Sequence, residues 1–98
     1  MKLKSTNIGK INKLIHEPAR LYIMSALIKE KSAKALLLKS LTGLSWGNLS
    51  VQLTKLERVG YIRIIKRFYG RKPETLVKIT PKGRDSYKKY LKILRKHI

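Results

Sequence analysis

The sequence predicts a mostly helical α+β domain, and three observations carry that expectation. Apolar residues recur at helical spacing through 19–29, 46–59 and 81–98. One stretch, Tyr61 to Ile79, is instead rich in Ile, Val, Thr and aromatic residues around a central glycine, the composition of a β-hairpin. Cap and turn residues fall at the joins: Pro18, Gly43, Gly60 and the pair Thr80-Pro81. The chain has 98 residues, so 1–98 is read as a single domain with one modest core.

In chain order, Ile8, Ile11, Leu14 and Ile15 predict a short amphipathic helix over 6–15. Pro18 ends it and opens a second helix, whose Leu21, Ile23, Met24, Leu27 and Ile28 are core candidates. Ser32 is expected to cap a third helix, Ala33 to Leu41, packing through Leu36, Leu37 and Leu41, with Gly43 at its C-terminal end. Ser45 then caps a helix from Trp46 to Val59. A three-residue turn containing Gly between two helices is the helix-turn-helix pattern.

On a wheel, Trp46, Leu49, Leu53 and Leu56 lie on one side of this helix. The other side carries Gly47, Asn48, Val51, Thr54, Lys55 and Arg58, with Gln52 on its flank, and Glu57 is the helix's single acid. A solvated face normally mixes Glu with Lys, and this one does not. Two strands are expected next, Tyr61 to Phe68 and Thr75 to Ile79, joined by a turn over 69–74. Adjacent Ile64 and Ile65 require a bulge or one outward-facing isoleucine. Thr80 and Pro81 then start a final helix with a stripe of Tyr87, Tyr90, Leu91, Leu94 and Ile98.

Lys and Arg total 24 against 5 acids, a formal charge of +19. Such an excess favours a polyanionic partner: DNA, RNA or an anionic membrane. The basic residues flank structured elements instead of forming one amphipathic tail, which argues against a membrane. No export signal or bilayer-spanning stretch is visible, so the expected location is cytoplasmic, on the nucleoid. Cysteine is absent, and the two His and five acids are scattered without metal-ligand spacing or a phosphate-cradling glycine loop. No enzyme activity, metal or cofactor is expected.

Helix, helix, recognition-like helix, basic hairpin and helix is the order of a winged helix-turn-helix domain. The runs HEPARLYIMSALI, LTGLSWGNLSVQLTKLERVGYI and GRKPETLVKITPKGR together resemble the small winged-helix transcriptional regulators of the MarR/ArsR-like group, over about His16 to Leu94. The resemblance implies a dimeric regulator of double-stranded DNA, with a two-stranded wing and with terminal helices 6–15 and 81–98 used for dimerisation. It places helix 45–59 in the major groove and the basic wing 66–78 on the minor groove or backbone. By the same resemblance the DNA-contacting residues are Ser45, Gly47, Asn48, Val51, Gln52 and Lys55, with Arg67, Arg71 and Lys72 on the wing. Two other readings stay open: a less specific chromatin or RNA-binding winged helix, and a winged helix that binds protein. Any small-molecule effector is left open; no appended ligand domain fits in this length.

Overall fold

The computed structural model describes residues 9–96. Its elements are α1 (Pro18–Glu30), β1 (Ser32–Lys34), α2 (Ala35–Thr42), α3 (Trp46–Arg58), β2 (Ile62–Tyr69), β3 (Lys72–Ile79) and α4 (Pro81–Lys96). The strands form one antiparallel sheet in the order β1-β3-β2. Helices α1 to α3 pack against its root, and the far half of the β2–β3 hairpin projects as the wing.

The core is where the periodicities intersect. Ile23, Met24 and Leu27 of α1 meet Leu38 of α2, Leu49, Leu53 and Leu56 of α3, Ile62 and Val77 of the sheet, and Tyr87 and Tyr90 of α4; all are buried. The sheet register runs unbroken from Ile62↔Ile79 to Tyr69↔Lys72, so no bulge separates Ile64 from Ile65. The pleat turns Ile64 towards the core and Ile65 to the opposite face.

Three sequence expectations are corrected. Ser32 caps no helix: residues 32–34 form β1, paired with Leu76 to Lys78, and α2 starts only at Ala35, after Lys34, without a side-chain cap. The buried face of α2, set by its packing, also differs from the expected one. Ala35 and Leu38 face the core, while Leu36, Leu37 and Leu41 are exposed, Leu36 at 65%. The expected helix 6–15 lies partly outside the described residues. Within them, residues 13–15 form a single turn instead of ending a longer helix: Asn12 Oδ1 accepts the Leu14 and Ile15 N–H groups at 3.1 Å and caps that turn, which the His16 N–H closes on the Asn12 carbonyl. Ile98 of the expected final stripe is also outside the described residues.

Each remaining join has a physical cause. Glu17 precedes α1 in an extended conformation, and its carboxylate accepts the Ala19 and Arg20 N–H groups. Burial pushes that carboxyl up. The two N–H bonds and the Arg20 and Lys55 charges outweigh burial and hold it below its ordinary value. Gly43 ends α2 at φ 71°, and Gly60 follows α3 at φ 81°.

Thr80 joins the sheet to α4. Its hydroxyl donates to the Gly60 carbonyl and accepts the Gly83 N–H at 3.0 Å. Here Gly83 is buried against Tyr61: a Cβ at this position would collide with the Tyr61 carbonyl group. Helix propensity alone favours Ala over Gly by about 1 kcal/mol. Collision with rigid backbone reverses the sign. Gly83→Ala is therefore expected to destabilise the fold by about 3 kcal/mol or more, with a Tm drop on the order of 10 °C in thermal melting.

Candidate nucleic-acid interface

Helix α3 is set by its first turn. Ser45 Oγ accepts the Asn48 N–H at 3.1 Å, which fixes the start of α3 and satisfies one of its free donors. The Trp46 and Gly47 N–H groups still point out of the helix end, where negative charge is favoured. Open space surrounds Gly47, so a phosphate can approach the backbone closely there. One turn on, Asn48 and Val51 are exposed, and Lys55 follows on the same face. This face of α3 therefore presents a short-chained polar start and a cationic end.

Gln52 is held differently. Its side-chain oxygen accepts a 2.6 Å hydrogen bond from Arg20 Nη1. Arg20 also donates from Nε to the Leu14 carbonyl at 2.5 Å and lies 3.5 Å from the Glu17 carboxylate. A single mostly buried guanidinium thus joins the turn before α1, the cap of α1 and the middle of α3. The free edge of Gln52 is its NH₂ group, so it faces a ligand as a donor.

Trp46, on the apolar side of the wheel, packs at the helix start and not in the core: it is 53% exposed, with Lys39 Nζ 5.6 Å from the ring centroid. It stands instead at the mouth of a cleft of about 670 Å³ between α3 and the inner face of the wing. Ser50, Glu57, Ile64, Lys66 and Thr75 line this cleft as well. Across it, the Glu57 carboxylate accepts the outward Ile64 N–H of β2 at 2.7 Å. The one acid of α3 is thereby spent on anchoring the wing, away from the polar face.

On the wing, the turn is shorter than the six residues expected. Gly70 and Arg71 alone connect the strands, Gly70 at φ 63°, as in a two-residue turn with Gly first. Arg71 is at the tip, and Lys72 pairs with Tyr69 directly below it. Arg67 is not free. It donates to Glu74 at 3.0 Å on the outer face of the sheet, where Lys34 binds the same carboxylate at 3.1 Å. The Lys34 and Arg67 hydrogen bonds hold the Glu74 carboxyl below its ordinary value. The structure thus gathers Ser45, Gly47, Asn48, Val51 and Lys55 on one face, sets Arg71 and Lys72 apart at the tip, and commits Gln52 and Arg67 to internal partners.

The joining role of Arg20 and the anchoring role of Glu57 are what sequence reasoning missed. Only the isolation of Glu57 among basic neighbours gave a local signal. Because three partners converge on it, Arg20→Ala is expected to cost about 1.5 to 3 kcal/mol in denaturant unfolding. Lys at this position should recover little, since an ammonium cannot reproduce the fork.

Comparison with known proteins agrees with this geometry. The sequence profile of the winged helix DNA-binding domain matches residues 19–98. A protein of uncharacterised function from Methanocaldococcus jannaschii is 32% identical over 79 residues, covering 81% of this chain and 86% of its own. The structure of a transcriptional regulator homologue from Pyrococcus horikoshii superposes with a TM-score of 0.87 at 29% identity, covering 93% of this chain and 92% of that one. A MarR-family regulator from Enterococcus faecalis shares the fold with a TM-score of 0.74 at 21% identity, over 97% of this chain and 86% of its own. The chain belongs to the winged helix DNA-binding domain family, in the form of the fold that MarR-family proteins share.

Proposed function

We propose that this chain is a transcriptional regulator that binds double-stranded DNA sequence-specifically as a homodimer in the cytoplasm. The observation that carries the reading is the acid-free outer face of α3, capped at Ser45 and set beside a basic hairpin tip. In this arrangement α3 enters the major groove. Asn48 pairs with a base edge, Gln52 donates from its amide while Arg20 holds its oxygen, Val51 meets a thymine methyl, and Lys55 reaches a guanine or a phosphate. Ser45 and Gly47 contact the backbone at the helix N-terminus. Arg71 and Lys72 follow the adjacent minor groove or its phosphates, and Arg67 contributes only when Glu74 releases it.

This division of labour is open to direct measurement. Asn48→Ala should cost about 1 to 3 kcal/mol on a preferred duplex and little on random DNA. The double change Arg71→Ala, Lys72→Ala should weaken both about alike. It should also flatten the log–log salt dependence by about one unit for each phosphate no longer neutralised. Selection from a random pool at near-physiological salt supplies the preferred duplex, and the titrations follow on it. Equal losses on both duplexes for Asn48→Ala would remove base reading from α3.

Dimerisation rests on the other end of the molecule. Pro18, Leu21 and Tyr22 of α1 and Tyr87, Leu91 and Leu94 of α4 line an apolar groove of about 330 Å³, with Tyr22 half exposed. A second copy covering this surface would set two recognition helices about one turn of DNA apart. Sedimentation at micromolar concentration is expected to return twice the mass of 11.4 kDa. A clean monomer would remove the two-fold operator from the reading. The charge of +19 favours a second reading, weakly selective coating of DNA or RNA. A specific-to-random affinity ratio well below about 10³ would favour it.

A further inference from the structure

The two most exposed large apolar side chains of the described residues sit side by side at the wing tip: Phe68 at 75% and Tyr69 at 77%. Neither has a core to serve. Four residues of β2, Lys66 to Tyr69, run beyond the half-buried Ile65. At about 3.3 Å per residue they carry the tip roughly 13 Å outwards. That exceeds the roughly 7.5 Å depth of a minor groove. Gly70 keeps the end of the ribbon narrow.

The pleat sends the two rings to opposite faces. Tyr69 closes the turn opposite Lys72 and carries a hydroxyl that needs a polar partner. Phe68 stands opposite Pro73, on the face that looks towards α3. In the alternating ladder set by the Tyr69↔Lys72 pair, Phe68 and Pro73 form a pair without mutual hydrogen bonds, where side chains approach most closely. The register therefore puts an aromatic ring and a pyrrolidine side by side on one face of the ribbon. Arg71 and Lys72 are at the end of this unit, and Lys66 follows Phe68 along the same face.

Resting on the duplex-binding reading above, we propose that Phe68, backed by Pro73, is an apolar wedge that enters the minor groove and partly unstacks one base step, bending the duplex. Phe and Pro are side chains suited to such insertion, because they leave no polar group unpaired between bases. The surrounding cations supply attraction to the groove walls, which an apolar tip alone lacks. The cost of unstacking depends on the step, being lowest at pyrimidine–purine steps such as TA or CA. The wing thereby gains a selectivity of its own, for deformability, at a position where it reads no base edge. A purely structural role for Phe68, stiffening the hairpin against Pro73, predicts no change in the DNA.

The test uses the full chain and a duplex selected from a random pool, with 2-aminopurine placed in turn at each step beside the major-groove site. Dye pairs at the duplex ends report bending. Wild type should raise the fluorescence several-fold at one step per half-site and shorten the end-to-end distance. Phe68→Ala should abolish both signals and weaken binding about tenfold, with the melting temperature unchanged and the Asn48-dependent preference intact. Phe68→Leu, still apolar and able to insert, should retain part of the bend. Specific binding by wild type without unstacking or bending overturns the wedge and leaves the regulator standing. Signals that persist in Phe68→Ala overturn it too, as does a preference for single strands. No duplex binding at all overturns both readings.

Discussion

Strand β3 is the member on which the rest of the structure depends. It pairs on one side with β1, which belongs to the helical body, and on the other with β2, which carries the wing. Val77, at its centre, is fully buried between Ala33 and Ile64. Because both pairings share one backbone, the wing leaves the body at an orientation fixed by a ladder of hydrogen bonds and not by a loop. At the base of the same hairpin, Gly83 meets the Tyr61 carbonyl and Thr80 bridges Gly60 to Gly83, so α4 is seated on the sheet through its main chain. The position of α3 relative to the wing is set from its own side by Glu57 and from below by Arg20.

The scarce acids explain why so basic a surface folds without losing its charge. Three of them hold structural joints: Glu17 at the start of α1, Glu57 between α3 and β2, and Glu74 beneath Lys34 and Arg67. Only Arg20, Lys34 and Arg67 lie in ion pairs with these carboxylates among the described residues. Lys55 on α3 and Arg71 and Lys72 at the tip lie in no ion pair among the described residues. The pairs of Glu74 with Lys34 and Arg67, whose cations are exposed, contribute little stability by themselves. Their effect is on placement, since they fix how neighbouring elements meet.

Most of the fold was legible because helical periodicity and cap residues are local signals. Ser45 as a cap, Gly43 and Gly60 as stops, and Thr80-Pro81 as a start all stand where the sequence puts them. What was not legible depends on partners distant in the chain. Three residues cannot announce a strand, and β1 exists only because β3 offers it a free edge. Missing β1 displaced the start of α2, and hydrophobicity assigned Leu36, Leu37 and Leu41 to the core in place of Ala35 and Leu38. Trp46 shares the apolar side of the wheel with Leu49, Leu53 and Leu56, yet at the first turn of α3 it projects beyond the buried layer. On α3, residue type and helix face placed Asn48, Val51 and Lys55 on one exposed side, where the structure has them. The commitments of Gln52 to Arg20 and of Arg67 to Glu74 span 32 and 7 residues, and no spacing rule reveals the first.

A long two-stranded ribbon standing clear of its domain invites the strands of other molecules to add to its edges. Here the root of one edge and the outer part of the other are guarded by groups already described for other reasons. The outward Ile64 N–H of β2 is occupied by Glu57. On β3, past the reach of β1, Pro73 removes a donor, and its position in the ladder aims the missing N–H at that open side. Lys72 and the Lys34–Glu74–Arg67 cluster add charge along the same margin. The hairpin therefore carries, along its own margins, groups that oppose the edge-to-edge pairing a projecting ribbon otherwise invites.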